Sequence, residues 1–361
     1  MPPRLTLSVL EERCMPAAFT LSTSFALGED TATKAEWISY DPTFIRHRTG
    51  DPTLASPFAY SMDAAGKTQF SIGMGADFTG GARVARADVT GDAVEDLIVA
   101  SGPGTDSRVS VYVNGNYTPV FTFTPFEAGF RGGVNIAAGD VTGDGIADLI
   151  ISPDEGGGPR VVIVRGGDWQ PIASFFAIDD ANFRGGVRTA VADFNNDTRG
   201  DLAAAAGFGG GPRVAVFDGT TLAGTPSRLF ADRMVFESTL RNGSFIGAGD
   251  LDGDGYADLF TAAGPGGAPR LQVLSGASLL AGGSAVLANH YLGNTDLRSG
   301  LRITVKNLDG DTHADLVTGN GPGSEENVRI YTGSELLATP GAGIAVNPFF
   351  SSNFADGVWV G

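Results

Sequence analysis

One nine-residue acidic loop recurs five times in this chain, followed each time by an apolar run and a glycine-rich turn. The copies read DVTGDAVEDLIVASGPG from Asp88, DVTGDGIADLIISPDEGGGPRV from Asp140, DFNNDTRGDLAAAAGFGGGPRV from Asp193, DLDGDGYADLFTAAGPGGAPRL from Asp250 and NLDGDTHADLVTGNGPGSEENV from Asn307. Self-similarity every 52 to 57 residues means one supersecondary unit used repeatedly, each copy burying its apolar faces against its neighbours.

The second unit shows what the repeat is made of. GGVNIAAGD leads in, ADLIIS follows the acidic loop, PRVVIVRGG follows the glycine turn, and QPIASFFAI closes the unit. Short apolar or alternating runs bounded by Gly, Pro, Asn and Asp are strand signals. Four antiparallel strands in about 50 residues make a propeller blade. A solenoid is the rival, but its repeats are shorter and commonly helical, and no helical period is visible. The 53 glycines and 19 prolines fit a chain of short strands and tight turns.

The fold expected is an all-β propeller of four-stranded antiparallel blades, six in number with seven as runner-up. Residues 17–361 form its single domain, with five clear repeats over about 80–361 and residues 1–16 as a disordered or targeting segment. The closing blade is expected from 17–75 together with 356–361, because ADGVWVG matches the opening strand of a further blade and FTLSTSF, AEWISY and KTQFSIGM supply strand-like partners.

Each acidic loop sets oxygen-bearing side chains at positions 1, 3, 5 and 9 and leaves position 7 to offer its backbone carbonyl. The expected ligand sets are Asp88, Thr90, Asp92, Val94 and Asp96; Asp140, Thr142, Asp144, Ile146 and Asp148; Asp193, Asn195, Asp197, Arg199 and Asp201; Asp250, Asp252, Asp254, Tyr256 and Asp258; and Asn307, Asp309, Asp311, His313 and Asp315. Calcium takes six to eight oxygens at about 2.3–2.6 Å, and alternate spacing on a tightly turned backbone folds oxygens onto one point. Gly91, Gly143, Gly253 and Gly310 permit the turn, and Asn196 stands in their place in the third loop. Magnesium suits less well, since it demands a rigid six-coordinate shell. The loop from Asp250 carries four acids and is expected to bind most tightly. The ring of His313 is expected to face solvent. Leu97, Leu149, Leu202, Leu259 and Leu316, directly after the last aspartate, are expected in the blade core.

On these loops the chain resembles the FG-GAP/VCBS repeats of integrin α-chain propellers, with their D-x-[DNT]-G-D-x-x-x-D-L pattern. The resemblance implies a propeller with calcium bound between blade strands, at up to five sites here. It implies no particular ligand.

With 41 Asp and Glu against 24 Lys and Arg the chain carries −17, which repels nucleic acid and anionic membrane surfaces. No apolar run of about 18 residues offers a membrane span. Cys14 is the single cysteine, so no intrachain disulfide exists and metal is the available clamp. Leu5 to Leu10 is cut off by Glu11, Glu12 and Arg13, which makes a poor signal peptide. Weak calcium sites fill outside the cytosol, so an extracellular, cell-surface or periplasmic location is expected.

Arg108, Arg160, Arg213 and Arg270 recur in phase, with Asn327 in the fifth copy, and are read as structural, paired within each blade. The FRGG elements at Phe130 and Phe183 are read as blade-to-blade packing. His47, His290 and His313 lie in unrelated contexts, and no G-x-S-x-G, H-E-x-x-H or Walker motif occurs. The expected function is a monomeric interaction or adhesion module for an unknown protein or polysaccharide, without catalysis. A polysaccharide lyase or hydrolase, drawing on Tyr40, His47 and Tyr60, is one alternative. A lectin is another, against which Trp37, Trp169 and Trp359 fall out of repeat phase.

Overall fold

In a computed structural model the chain is described over residues 24–29, 58–63, 68–73, 80–113, 116–321, 328–341, 343–345 and 358–361. The strands run β1 (Ser24–Glu29), β2 (Phe58–Asp63) and β3 (Thr68–Gly73), then β4 (Ala82–Ala87), β5 (Asp96–Ser101), β6 (Val109–Tyr112) and β7 (Phe121–Phe123). Next come β8 (Val134–Gly139), β9 (Asp148–Pro153), β10 (Arg160–Val164) and β11 (Pro171–Phe176), followed by β12 (Val187–Ala192), β13 (Asp201–Ala206), β14 (Arg213–Phe217) and β15 (Arg233–Met234). The last are β16 (Ser244–Gly249), β17 (Asp258–Ala263), β18 (Arg270–Leu274), β19 (Val286–Tyr291), β20 (Leu301–Lys306), β21 (Asp315–Asn320), β22 (Val328–Tyr331), β23 (Ile344–Ala345) and β24 (Val358–Val360).

Five blades each use four consecutive strands: β4 to β7, β8 to β11, β12 to β15, β16 to β19 and β20 to β23. Every pairing is antiparallel. The second strand of the first four blades, exemplified by DLIVAS and DLIISP, is buried at all six positions. Both faces of a blade pack on neighbours, so these strands read as continuous apolar runs rather than alternating ones. The fourth strand lies at the rim, and in β11 it is partly exposed throughout. The core accordingly lies between blades: one cluster joins Ile98 and Val111 to Ile151 and Val164, and another joins Phe260 and Val273 to Ile303 and Leu316. Leu97, Leu149, Leu202, Leu259 and Leu316 are all in it, at most 1% exposed.

The expectation of six blades, or seven, needs correction. Five blades, not six or seven, are built on the repeat. The remaining strands pair as β24-β1-β2-β3, a sheet of a different kind drawn from both ends of the described chain. In the five repeat blades the acidic loop joins the first strand to the second. In the closing sheet those two positions belong to β24 and β1, which are not consecutive, so this connection and its acidic loop have no counterpart. The ring closes through contacts of β24 with β4 and β20. The expected strand AEWISY and the segment 1–16 lie outside the described residues, and β2 at FAYSMD was not anticipated.

Candidate metal centre

Each acidic loop winds around its first side chain. In the fourth loop Asp250 Oδ1 accepts the N–H groups of Gly253 (2.7 Å) and Asp254 (3.1 Å), and Oδ2 accepts that of Gly255 (2.8 Å). Asp88 and Asp140 do the same for their loops, and Asn307 Oδ1 accepts Gly310 N–H at 2.7 Å. The fifth-position aspartates then accept the N–H of position 7: Val94, Ile146, Arg199, Tyr256 and His313, at 2.7 to 3.0 Å. Such turns need left-handed backbone, and Gly91, Gly143, Gly253 and Gly310 have φ of 76 to 82°, with Asn196 at 59°. Position 6 is left-handed as well, at Ala93, Gly145, Thr198 and Gly255, a requirement not read from the sequence.

The ninth aspartate braces the blade. Asp96, Asp148, Asp201, Asp258 and Asp315 are at most 1% exposed, and the Oδ2 of each accepts the N–H of position 2. In the last four, Oδ1 also accepts an N–H from the turn after the third strand, from Gly166, Gly219, Gly276 or Gly333 at 2.8 to 3.0 Å. Burial pushes these carboxyls up despite the N–H donors, Asp258 to about 7, Asp96, Asp201 and Asp315 to about 6, and Asp148 in the same direction.

Among the described residues one group of acids converges as a cation site requires. One carboxylate oxygen from each of Asp250, Asp252 and Asp254 falls within 4.8 Å of the others. Burial, and then the neighbouring charges of Asp254 and Asp250, raise the Asp252 carboxyl. Three hard oxygen donors on a rigid turn suit calcium. Asp258 is not in this group; it sits behind the loop on its two N–H donors. The other loops lack a carboxylate at position 3 or 1, and part of the polar surface bonds internally: Thr90 to Asp96 at 3.1 Å, Thr142 to Asp140 at 3.3 Å and Asn195 to Asp197 at 3.0 Å.

The loops are joined to one another. The position-8 N–H of each loop after the first donates to the position-1 carbonyl of the loop before it: Ala147 to Asp88, Gly200 to Asp140, Ala257 to Asp193 and Ala314 to Asp250, at 2.7 to 2.9 Å. Position 7 leans the same way, so that a Cβ on Gly91 would lie 2.8 Å from Ile146 Cδ1 and one on Gly143 would lie 2.9 Å from Arg199 Nε. The His313 ring does not simply face solvent, since its Nδ1 lies 2.7 Å from Leu251 O of the preceding loop. The recurring arginines pair with carboxylates, Arg160 with Glu127, Arg213 with Asp179 and Arg270 with Glu237, at 3.0 to 3.2 Å. Tyr40 and His47 lie outside the described residues.

The FG-GAP-like repeat matches residues 88–151 and the FG-GAP repeat matches residues 242–278. Integrin alpha-V of Gallus gallus is 26% identical over 204 residues, which cover 51% of this chain and 20% of the integrin. Integrin alpha-7 of Homo sapiens is 29% identical over 138 residues, covering 35% of this chain and 12% of the integrin. The chain thus spans a fifth or less of these relatives. Among solved structures, a lectin of Agrocybe aegerita recognising non-reducing terminal N-acetylglucosamine is similar at a TM-score of 0.47 and 16% identity, covering 94% of this chain and 85% of the lectin. A rhamnogalacturonan lyase is similar at a TM-score of 0.42 and 13% identity, covering 69% of this chain and 48% of the lyase. The chain carries FG-GAP repeats in an integrin-α-like β-propeller.

Proposed function

We propose that this propeller is a non-enzymatic binding module held rigid by calcium in its acidic loops and working where calcium is abundant, outside the cytosol. The observation that carries this reading is the convergence of Asp250, Asp252 and Asp254 on a loop scaffold repeated in all five blades. Crowded carboxylates repel, and the loops bearing them are hydrogen-bonded in series, so a cation in one loop stiffens its neighbours. A site of ~10 μM affinity in ~1 mM calcium adds about 2.7 kcal/mol by mass action. Several such sites substitute for the disulfides that one cysteine cannot form.

The binding role is supported by likeness to integrin α chains and by the commitment of the patterned acids to loop structure rather than to an open cleft. The partner class is a protein or a polysaccharide. No helix among the described residues is long and apolar enough to cross a membrane. Thermal unfolding in excess EGTA, in 1 mM calcium and in 1 mM magnesium tests the metal. A calcium-specific rise of several degrees is expected; equal melting in all three conditions sinks the calcium reading.

A further inference from the structure

The third repeat blade is hollow where its neighbours are filled. In the second, third and fourth repeat blades the fourth residue of the second strand pairs with the third residue of the third strand. The pair is Ile151 with Val162 in the second blade, where both pack against the blade before it, and Thr261 with Gln272 in the fourth. In the third it is Ala204 with Ala215. Two methyl groups cannot fill the space that those larger pairs occupy, and a cleft of about 320 Å³ opens beside them, between β13, β14 and the segment that follows β11. Its floor is Ala204, Ala206 and Ala215, each at most 6% exposed.

The walls combine apolar and charged groups that solvent already reaches. Phe183 forms one side, its ring set against backbone: a Cβ on Gly185 would lie 2.3 Å from Phe183 Cζ, and one on Gly210 would lie 3.0 Å from it. Met234, 52% exposed, forms another. Arg213 is about half exposed and is held from two directions, its Nε donating to Asp232 Oδ2 at 2.5 Å and its Nη2 to Asp179 Oδ2 at 3.0 Å. Arg228 Nη2 closes the network on Asp179 at 3.0 Å. Arg241, also exposed, is anchored by Nη1 on the carbonyls of Ser238 and Leu240, at 2.7 and 2.8 Å. The charged lining residues Asp180, Asp232, Arg213 and Arg241 balance one another, and so do Asp179 and Arg228 behind them.

We propose that this cleft receives one ring of a neutral sugar; the proposal rests on the binding-module function above and assigns that module a ligand class. A cavity of this size is at the small end of ligand sites. An apolar ligand would cover Asp232, Arg213 and Arg241 without replacing their hydrogen bonds to water, which opposes binding. A charged ligand would compete with ion pairs that are already closed. A sugar ring offers C–H groups to Phe183, Met234 and the alanine floor, and hydroxyls that donate to a carboxylate and accept from a guanidinium at once.

The test is saturation-transfer NMR on the full chain with calcium held constant. The neutral probes are the methyl glycosides of glucose, galactose, mannose, rhamnose and xylose, and the charged ones are glucuronate and glucosamine. At least one neutral glycoside is expected to bind saturably and more tightly than either charged sugar. Ala204→Ile, which restores the residue found in the second blade, is expected to abolish that binding without lowering the melting temperature. Arg241→Gln, at an exposed side chain, is expected to weaken it about fivefold, and decides the matter if Ala204→Ile does not fold. The proposal is overturned if no neutral glycoside binds, if a charged sugar binds more tightly, or if binding is unchanged in Arg241→Gln or in folded Ala204→Ile. The first of these outcomes leaves the binding module standing with a protein as its partner. New anomeric signals from a bound glycoside would instead keep the site and overturn the non-enzymatic reading. Because calcium is constant, no outcome depends on whether the acidic loops bind metal.

Discussion

Lys306 Nζ lies 2.7 Å from Glu95 Oε1, joining the end of β20 to the first acidic loop across 211 residues of chain. Glu95 occupies position 8 of its loop, where the other loops have Ala147, Gly200, Ala257 and Ala314. In those loops the position-8 N–H bonds the loop before it, but the first repeat blade follows the closing sheet, which has no acidic loop to receive that bond. A side-chain ion pair therefore spans the seam, with Arg86 Nε 3.6 Å from the other Glu95 oxygen and Arg86 Nη2 donating to Glu95 O at 2.9 Å.

Removing one partner of this pair strands the other charge in a largely buried place. Glu95→Ala is expected to cost about 2–3 kcal/mol, below the full buried-pair value because Glu95 keeps some solvent contact. Replacing both, as Glu95→Leu with Lys306→Met, is expected to recover only part of the loss, because the buried Arg86 still loses its carboxylate partner. Urea midpoints at equal m-value check both; a neutral Glu95→Ala would show that the seam is held by apolar packing alone.

On the proposed calcium reading, the carboxylate count orders the loops. Asp252→Asn removes one of three converging acids and is expected to weaken the tightest calcium site at least tenfold, while Asp311→Asn in the fifth loop leaves that site untouched. Calcium titration followed by calorimetry distinguishes them. Equal effects from the two substitutions would contradict the ranking.

Protonation of the ninth aspartates gives the fold a pH dependence. The ninth aspartates titrate higher in the folded protein than the ordinary carboxylate value of about 3.8, at about 7 for Asp258 and about 6 for Asp96, Asp201 and Asp315, because burial disfavours their charge. The folded state therefore holds more protons than the unfolded one between those values, and stability falls as pH rises from about 4 to 7. In EGTA the protein is expected to be more stable at pH 5 than at pH 7.5. Asp258→Asn should flatten that slope most. Denaturant unfolding across this range with and without EGTA is the check; a rise in stability toward pH 7.5 in EGTA would reverse the assigned sign.

Much of this architecture was legible because the repeat writes it several times. The strands of the second unit, the leucine after each ninth aspartate and the left-handed glycines follow from local pattern alone. The closing sheet was legible only as a leftover strand at ADGVWVG, and β2 escaped notice because nothing repeats FAYSMD. Arg83, Arg188, Phe245, Arg302 and Trp359 share the second position of an innermost strand but no chemistry, so they look unrelated until the ring sets the arginines over the aromatic rings. Glu95 and Lys306 carried a readable signal, each being the charged exception at a position held elsewhere by alanine or glycine. The dual role of the ninth aspartate was not legible, since spacing tells that an oxygen is present and not which N–H groups already occupy it.

The third loop stores the clearest backbone strain. Thr198 sits at φ 74°, where a β-branched side chain crowds its own backbone, while Gly145 and Gly255 fill the equivalent position in the second and fourth loops. The Asp193 carboxylate holds Thr198 there by accepting its N–H at 2.6 Å. Thr198→Gly relieves the steric cost and loses some of the gain to the greater freedom of glycine in the unfolded chain, so a net stabilisation of about 0.5–1 kcal/mol is expected. Gly145→Thr is the converse and should destabilise by a similar or larger amount. The two substitutions, read as shifts of the urea midpoint in opposite directions, test whether the left-handed turn is imposed by the first aspartate; a destabilised Thr198→Gly would show that the threonine side chain contributes contacts worth more than its strain.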